Sequence, residues 1–372
     1  MNLGHGTLED WLKNPPVEQL KKGGDSYPFY SNYDSFKNYL NNNLHKEVTK
    51  ASIIADIKAS VDYDKITWLN DHGPEHIKAV IQRASILVEA ISCELNAREV
   101  FILLNAIQVH DVGNFYGRHN HERKIIDAIR EGLSPVVFDS KEVRLIRDVA
   151  KVHGGSFIED DGTENKNTFK AIKTPIANSD SYPVRLLLLA SILRFSDELA
   201  DDKTRADIKG LKEKLIPRGS EIYHAYASVL DSPTINHKDK RIELHYYINK
   251  DQLYEKYGKY DAKNDVILEK TLLEEIYERT LKIHFERIYC SKFWKKEIEI
   301  DTVWVKIEFY STELYEDIHP EITYTLTDSE YPISKEGMTI FDLCKKELSY
   351  PNGHLITTEN VIKKIEEHEE SV

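Results

Sequence analysis

Apolar residues recur at three- and four-residue spacing through four stretches, Ile77 to Leu95, Val100 to His110, Val143 to Val152 and Val184 to Leu199, the period that lines them up along one face of an α-helix. No alternating stretch interrupts them, so the chain from about 51 to 206 reads as a helical bundle. Past Gly210 the period changes. Ile242, Leu244, Tyr246 and Ile248 alternate along the chain, as do Val303, Val305, Ile307 and Phe309, which is the two-residue period of a strand with one buried face. Between these runs, Leu268 to Ile288 returns to the helical period. The expected fold class is mainly α, a helical bundle followed by a smaller α+β C-terminal unit of helix and antiparallel strands. Ahead of the bundle, Pro15-Pro16, Gly23-Gly24 and an Asn- and Tyr-rich run from Tyr30 to Asn43 read as an irregular arm with one short helix. The expected boundaries are 1–47 for the arm, 48–209 for the bundle and 210–372 for the α+β unit.

Composition narrows the chemistry. The 372 residues suffice for two domains at roughly 100–200 residues each. An excess of 63 acidic over 50 basic side chains, a formal charge of -13, repels a long polyanion and makes extended nucleic acid a disfavoured partner. The longest apolar run, Leu186 to Leu193, is bounded by Arg185 and Arg194 and is far short of the ~20 residues that cross a bilayer. The start of the chain lacks the basic and apolar stretches of a signal peptide. A cytoplasmic protein without a membrane partner is expected. Cys93, Cys290 and Cys344 are widely spaced and form neither a disulfide framework nor a thiolate metal site, so nitrogen and oxygen must hold any metal.

Histidine and aspartate gather in five stretches of the helical half: Asp71-His72-Gly73-Pro74-Glu75-His76, Val109-His110-Asp111-Val112-Gly113, Arg118-His119-Asn120-His121, Val152-His153-Gly154-Gly155, and Leu193-Arg194-Phe195-Ser196-Asp197-Glu198-Leu199. Adjacent residues of a regular helix point about 100° apart. His110 and Asp111 can therefore share one ion only at a helix end, and Gly113 supplies that break. Pro74 favours a helix's first turn, which puts His76 inside a new helix and His72 just ahead of it. There His72 serves either as a proton donor or phosphate contact at the pocket mouth, or as a loop residue capping the helix. Asp197 lies on an otherwise apolar helix three residues after Arg194, where a metal or an arginine must compensate its charge.

In this order the five stretches resemble the HD-domain metal-dependent phosphohydrolases, over about residues 50 to 206. The resemblance implies an HD helical bundle and the metal ligands His76, His110, Asp111, His121, His153 and Asp197, with His119 as the alternative to His121. Asp111 would bridge two ions. Imidazole and carboxylate donors suit one or two divalent ions, Mn, Mg or Fe, in a hydrolytic centre. Catalytic roles then fall to His72, Asp111 and His121, and contact with substrate phosphate to Arg118, Lys151, Arg194 and Arg205, although Arg194 could instead buttress Asp197.

Two metals and a shared water point to phosphoester or phosphoanhydride hydrolysis. The single His153 followed by Gly154-Gly155 departs from the cyclic-dinucleotide branch of the superfamily, and Asn114 stands where the triphosphohydrolase branch has a further His, which leaves that residue's role unassigned. The D-H-G-x-x-H and L-R-x-x-D-E-L wording looks like HD proteins of bacterial conflict and anti-phage loci. That likeness implies a small nucleotide as substrate, a (deoxy)nucleoside triphosphate foremost, and a partner protein of a defence locus. The alternatives are a nucleotide-sensing HD regulator and an HD hydrolase of dinucleotides or single-stranded nucleic acid. In the last third, Tyr246, Tyr247, Trp294, Trp304 and Tyr310 read as core aromatics, or otherwise as a homo-oligomer interface or second nucleotide site. Arg287, Lys292, Lys295 and Lys296 read as a solvated helix end.

Overall fold

Thirteen consecutive residues, Ala97–Val109, form a helix buried on every side, the signature of an element at the centre of its domain. Asn96 starts it with a capping box shared with Glu99, and Arg185 meets the buried Glu99 carboxylate at 2.8 Å. Around it pack the helices Leu8–Lys13, Phe29–Asn43, Pro74–Val88, Ser140–Ala150 and Leu186–Glu198. Leu103, Leu104, Leu189 and Leu193 are fully buried there, positions where truncation to alanine costs about 2–5 kcal/mol. The structure is a computed structural model. It describes all residues other than 1–2, 5, 23–24, 60–61, 69, 91–92, 117–124, 126–139, 156, 159–162, 175, 178–182, 295, 312–315, 329–336 and 370–372.

Contacts divide the chain into two units. The first comprises Met1–Ala59, Asp71–Ala200 and Cys290–Glu299, the second Ser60–Asn70, Asp201–Tyr289 and Ile300–Val372. Among the described residues no helix is long and apolar enough to cross a membrane.

The mainly helical reading holds, with corrections in detail. Phe29–Asn43 is a helix of 15 residues rather than part of an irregular arm. Phe29, Tyr33, Phe36 and Leu40 recur at helical spacing on its buried face, so packing overrides the weak helix preference of the Asn and Tyr between them. Tyr33 donates to the Glu9 carboxylate and accepts from the Gln108 amide. The helix expected over 77–95 runs instead over Pro74–Val88, with Glu89 as its C-cap. Cys93 and Leu95 stay buried beyond it without continuing it, which is why the apolar pattern overruns the helix.

The second unit holds a four-stranded sheet in the order Glu316–Thr327, Thr302–Ser311, Arg241–Asn249, Thr234–Asn236. The alternation is as read: Ile242, Leu244, Tyr246 and Ile248 are buried, as are Val303, Val305, Ile307 and Phe309. These two strands pair in parallel, however, Val303 opposite Ile242 and Phe309 opposite Ile248, not antiparallel as expected. Parallel neighbours need a long crossover, and the chain between Asn249 and Thr302 supplies one. That crossover contains a hairpin of Tyr257–Asp261 and Val266–Lys270 and the helix Leu272–Trp294. Leu268 therefore belongs to a strand, and the helix begins only after Thr271, whose backbone N–H and hydroxyl both donate to Glu274. Arg287 is buried rather than solvated and donates to the Ile300 carbonyl. Trp294 is core, edge-on to Phe195.

Candidate metal centre

Four of the singled-out side chains converge inside the first unit. His76, His110, Asp111 and Asp197 each present one donor atom, and these atoms lie within 4.8 Å of one another. Each arrives from a helix end. Pro74 occupies the first turn of its helix with Gly73 as N-cap, which places His76 two residues deeper. The loop before it is pinned by Thr49, whose hydroxyl accepts from the His72 backbone N–H, and by Asp71, which accepts from Gly73. His110 is the C-cap of Ala97–Val109, and Asp111 follows before the tight turn of Val112–Tyr116. Ending the helix there allows adjacent residues to face one point. Asp197 comes from the last turn of Leu186–Glu198.

Backbone carbonyls orient two of the imidazoles. Nδ1–H of His110 donates to Ile107 at 2.8 Å, and Nδ1–H of His153 to Ala150 at 2.6 Å. Both rings thus keep Nε2 clear of the backbone, the nitrogen through which a neutral imidazole ligates metal. Nε2 of His110 lies 3.4 Å from both Asp111 Oδ2 and Asp197 Oδ1. Nε2 of His76 lies 3.5 Å from Asp111 Oδ2 and 3.2 Å from Asp197 Oδ1. Two donors on an ion at ~2.1 Å can stand no more than ~4.2 Å apart, and these four pairs fall inside that span.

Electrostatics agrees. Burial acts to lower the pKa of His110, but the carboxylates of Asp111 and Asp197 outweigh it and raise the value well above that of free histidine. Burial likewise acts to raise the pKa of Asp197, and His110 and His76 outweigh it and lower the value well below the usual carboxylate range. The carboxylates draw positive charge to this point. Neither ring nitrogen of His76 nor Nε2 of His110 has a hydrogen-bond partner among the described residues, a desolvation cost of about 1–3 kcal/mol for each such group. A divalent cation supplies the charge and satisfies the orphaned lone pairs, so the residues fit a metal.

The remaining expected residues are distributed differently. His72 is mostly buried, with Nε2 3.6 Å from Asp111 Oδ2, and His153 stands 3.6 Å from Asp111 Oδ1. Lys151 pairs with Asp148 at 2.9 Å. Arg194 is buried, donates to the Thr168 hydroxyl and lies over the Phe169 ring. Arg205 belongs to the second unit, where Asp201 is 3.5 Å away. Arg118, His119 and His121 lie outside the described residues. Two contributors were not legible in the sequence. Asn114, flagged only as a departure from a family pattern, donates to Asp111 Oδ1 at 3.0 Å. His45 carried no signal at all; its Nε2–H donates to the Gln108 carbonyl at 2.7 Å, two residues before His110.

A family model described as HD-CE matches residues 62–279. That segment contains all four clustered donors and continues into the second unit. No curated protein and no solved structure matches the chain.

Proposed function

From the premise that the chain belongs to the HD-CE family, we propose that it is a metal-dependent phosphohydrolase acting on a small nucleotide, a (deoxy)nucleoside triphosphate foremost. Membership of an HD-type family points to a metal-dependent hydrolase. The observation that carries the reading is the buried convergence of His76, His110, Asp111 and Asp197 with orphaned imidazole nitrogens. A divalent ion held by these donors supplies a water of lowered pKa and a polarised phosphoryl oxygen.

The chain's own residues do the rest. His72 faces the same Asp111 oxygen as His76 and His110 but stands before the helix and keeps some exposure, a position from which an imidazole can hold or deliver a proton at a leaving oxygen. Lys151, just past the helix end and two residues before His153, is our candidate for a phosphate oxygen, a role in which it would exchange its present partner Asp148 for the substrate. The -13 charge favours a compact anion over a polymer, because the outer field repels extended phosphate chains. The defence setting rests on motif wording alone and adds no residue to this mechanism.

The test is elemental analysis of the purified protein, then a product screen with Mn or Mg over eight nucleoside triphosphates, dinucleotides and labelled oligonucleotides. Release of phosphate or triphosphate from mononucleotides is expected, with Asp111→Ala and Asp197→Ala folded but without metal or activity. A protein that binds no metal is no hydrolase of this kind, and rapid cutting of oligonucleotides beside inert mononucleotides would move it to the nucleases.

A further inference from the structure

A cavity of about 760 Å³ lies wholly within the second unit and includes none of the metal donors. Its size is within the ~300–1,000 Å³ range of small-ligand pockets. Lys212, Lys214 and Lys256 line it, and none of their ammonium groups has an ion-pair or hydrogen-bond partner among the described residues. Of the three acidic lining residues, Glu221 takes the Arg218 guanidinium and the Gly258 N–H, while Asp251 and Glu255 are exposed to solvent. In a chain of net charge -13, three unpartnered lysines around one concavity form a local attractor for an anion, and phosphate suits the compact lysine charge.

The same cavity offers aromatic faces. Tyr247 and Tyr310 are 44% and 37% exposed and project from neighbouring parallel strands on the side opposite the buried Tyr246 and Phe309. A two-residue diagonal separates them, since Tyr247 is opposite Glu308 and Tyr310 opposite Asn249. Such faces accept a planar base by stacking. Lys214 has φ +56, a left-handed position where glycine ordinarily ends a helix, and the Leu215 N–H reaches back to the Gly210 carbonyl. A lysine in this strained place is one of the three that line the cavity.

We infer that this cavity binds a nucleotide, with its phosphates on Lys212, Lys214 and Lys256 and its base on Tyr247, independently of the metal centre. The experiment is calorimetric titration of the full-length protein in EDTA, which silences metal-dependent hydrolysis, with ATP, GTP, adenosine and inorganic phosphate. One equivalent of ATP or GTP should bind. Lys212→Glu with Lys256→Glu should weaken it at least tenfold, as should Tyr247→Ala, while Tyr247→Phe and Asp111→Ala stay within twofold of wild type. Melting curves check that the variants fold. No heat with either nucleotide overturns the inference. So does phosphate binding as tightly as ATP while adenosine is inert, which would make the cavity a simple anion site. Binding lost in Asp111→Ala but kept in the lysine variant also overturns it, by placing the nucleotide at the metal centre.

Discussion

His153 and Asp111 meet through carboxylate oxygen Oδ1: Nε2 of His153 is 3.6 Å from it, whereas His72, His76 and His110 approach Oδ2. An aspartate shared in this way would be able to serve two ions, one held with His153 and one with His76 and His110. Oδ1 also accepts from the Asn114 amide, which fixes the carboxylate plane. The expected outcome for His153→Ala is loss of one of two bound Mn equivalents, with the equivalent on His76, His110 and Asp197 retained. Metal counted after dialysis checks it. One equivalent in both proteins would make His153 a structural neighbour of a single-ion site.

Arg194, expected at substrate phosphate or behind Asp197, makes a contact that points to a further task. Nη1 donates to the Thr168 hydroxyl at 2.9 Å, and that hydroxyl donates to the Val152 carbonyl at 2.9 Å, the residue before His153. Arg194 thus positions the His153 turn from a buried site. Arg194→Met should lower kcat about tenfold with KM little changed, in line with the 10–100-fold effects of groups that orient metal ligands. A rise in KM at constant kcat would instead mark contact with substrate.

The parts of the site visible in the sequence are those with local causes. Gly73-Pro74 ahead of His76 and Gly113 behind Asp111 announce helix ends, and helix ends are what allow neighbouring side chains to converge. The alternation of Ile242 to Ile248 and Val303 to Phe309 shows their buried faces, but a two-residue period is the same in either strand direction, so their parallel pairing was not legible. Tertiary partnerships left no trace either. Nothing local distinguishes the Arg194 that reaches Thr168 from one that meets phosphate, and the Phe29–Asn43 helix depends on core it meets only after folding.

His45 gives the pH dependence. It is buried, with Nε2–H on the Gln108 carbonyl and Nδ1 at 2.8 Å from the Asn41 side-chain amide. Burial chiefly, with charge on His110 and His76 adding to it, lowers its pKa from 6.5 to about 4. The folded protein therefore keeps His45 neutral in a range where the unfolded chain takes up a proton. Its contribution to stability is complete above pH 6.5 and is lost as pH falls from 6.5 to 4, by about 3 kcal/mol at 1.36 kcal/mol per unit. Urea melts of wild type and His45→Gln from pH 7.5 to 4.5 should show the stability gap between them narrowing as the solution acidifies. A gap independent of pH would mean that His45 does not stay neutral in the fold.

His72 separates proton transfer from metal binding. Its Nε2 stands 3.6 Å from Asp111 Oδ2, and its side chain keeps 11% exposure where the imidazoles of His76 and His110 keep 1% and none. A group that exchanges protons with a leaving oxygen needs the opening that His72 retains. Positioned acid–base groups contribute about 10²–10⁴-fold, so His72→Asn should lower kcat by that order, retain wild-type metal content and lose the limb of the kcat–pH profile that tracks an imidazole. The readouts are metal analysis and turnover from pH 5.5 to 9. Loss of metal in His72→Asn would make it a ligand, and wild-type turnover would leave it only the loop role of fixing the start of the Pro74–Val88 helix.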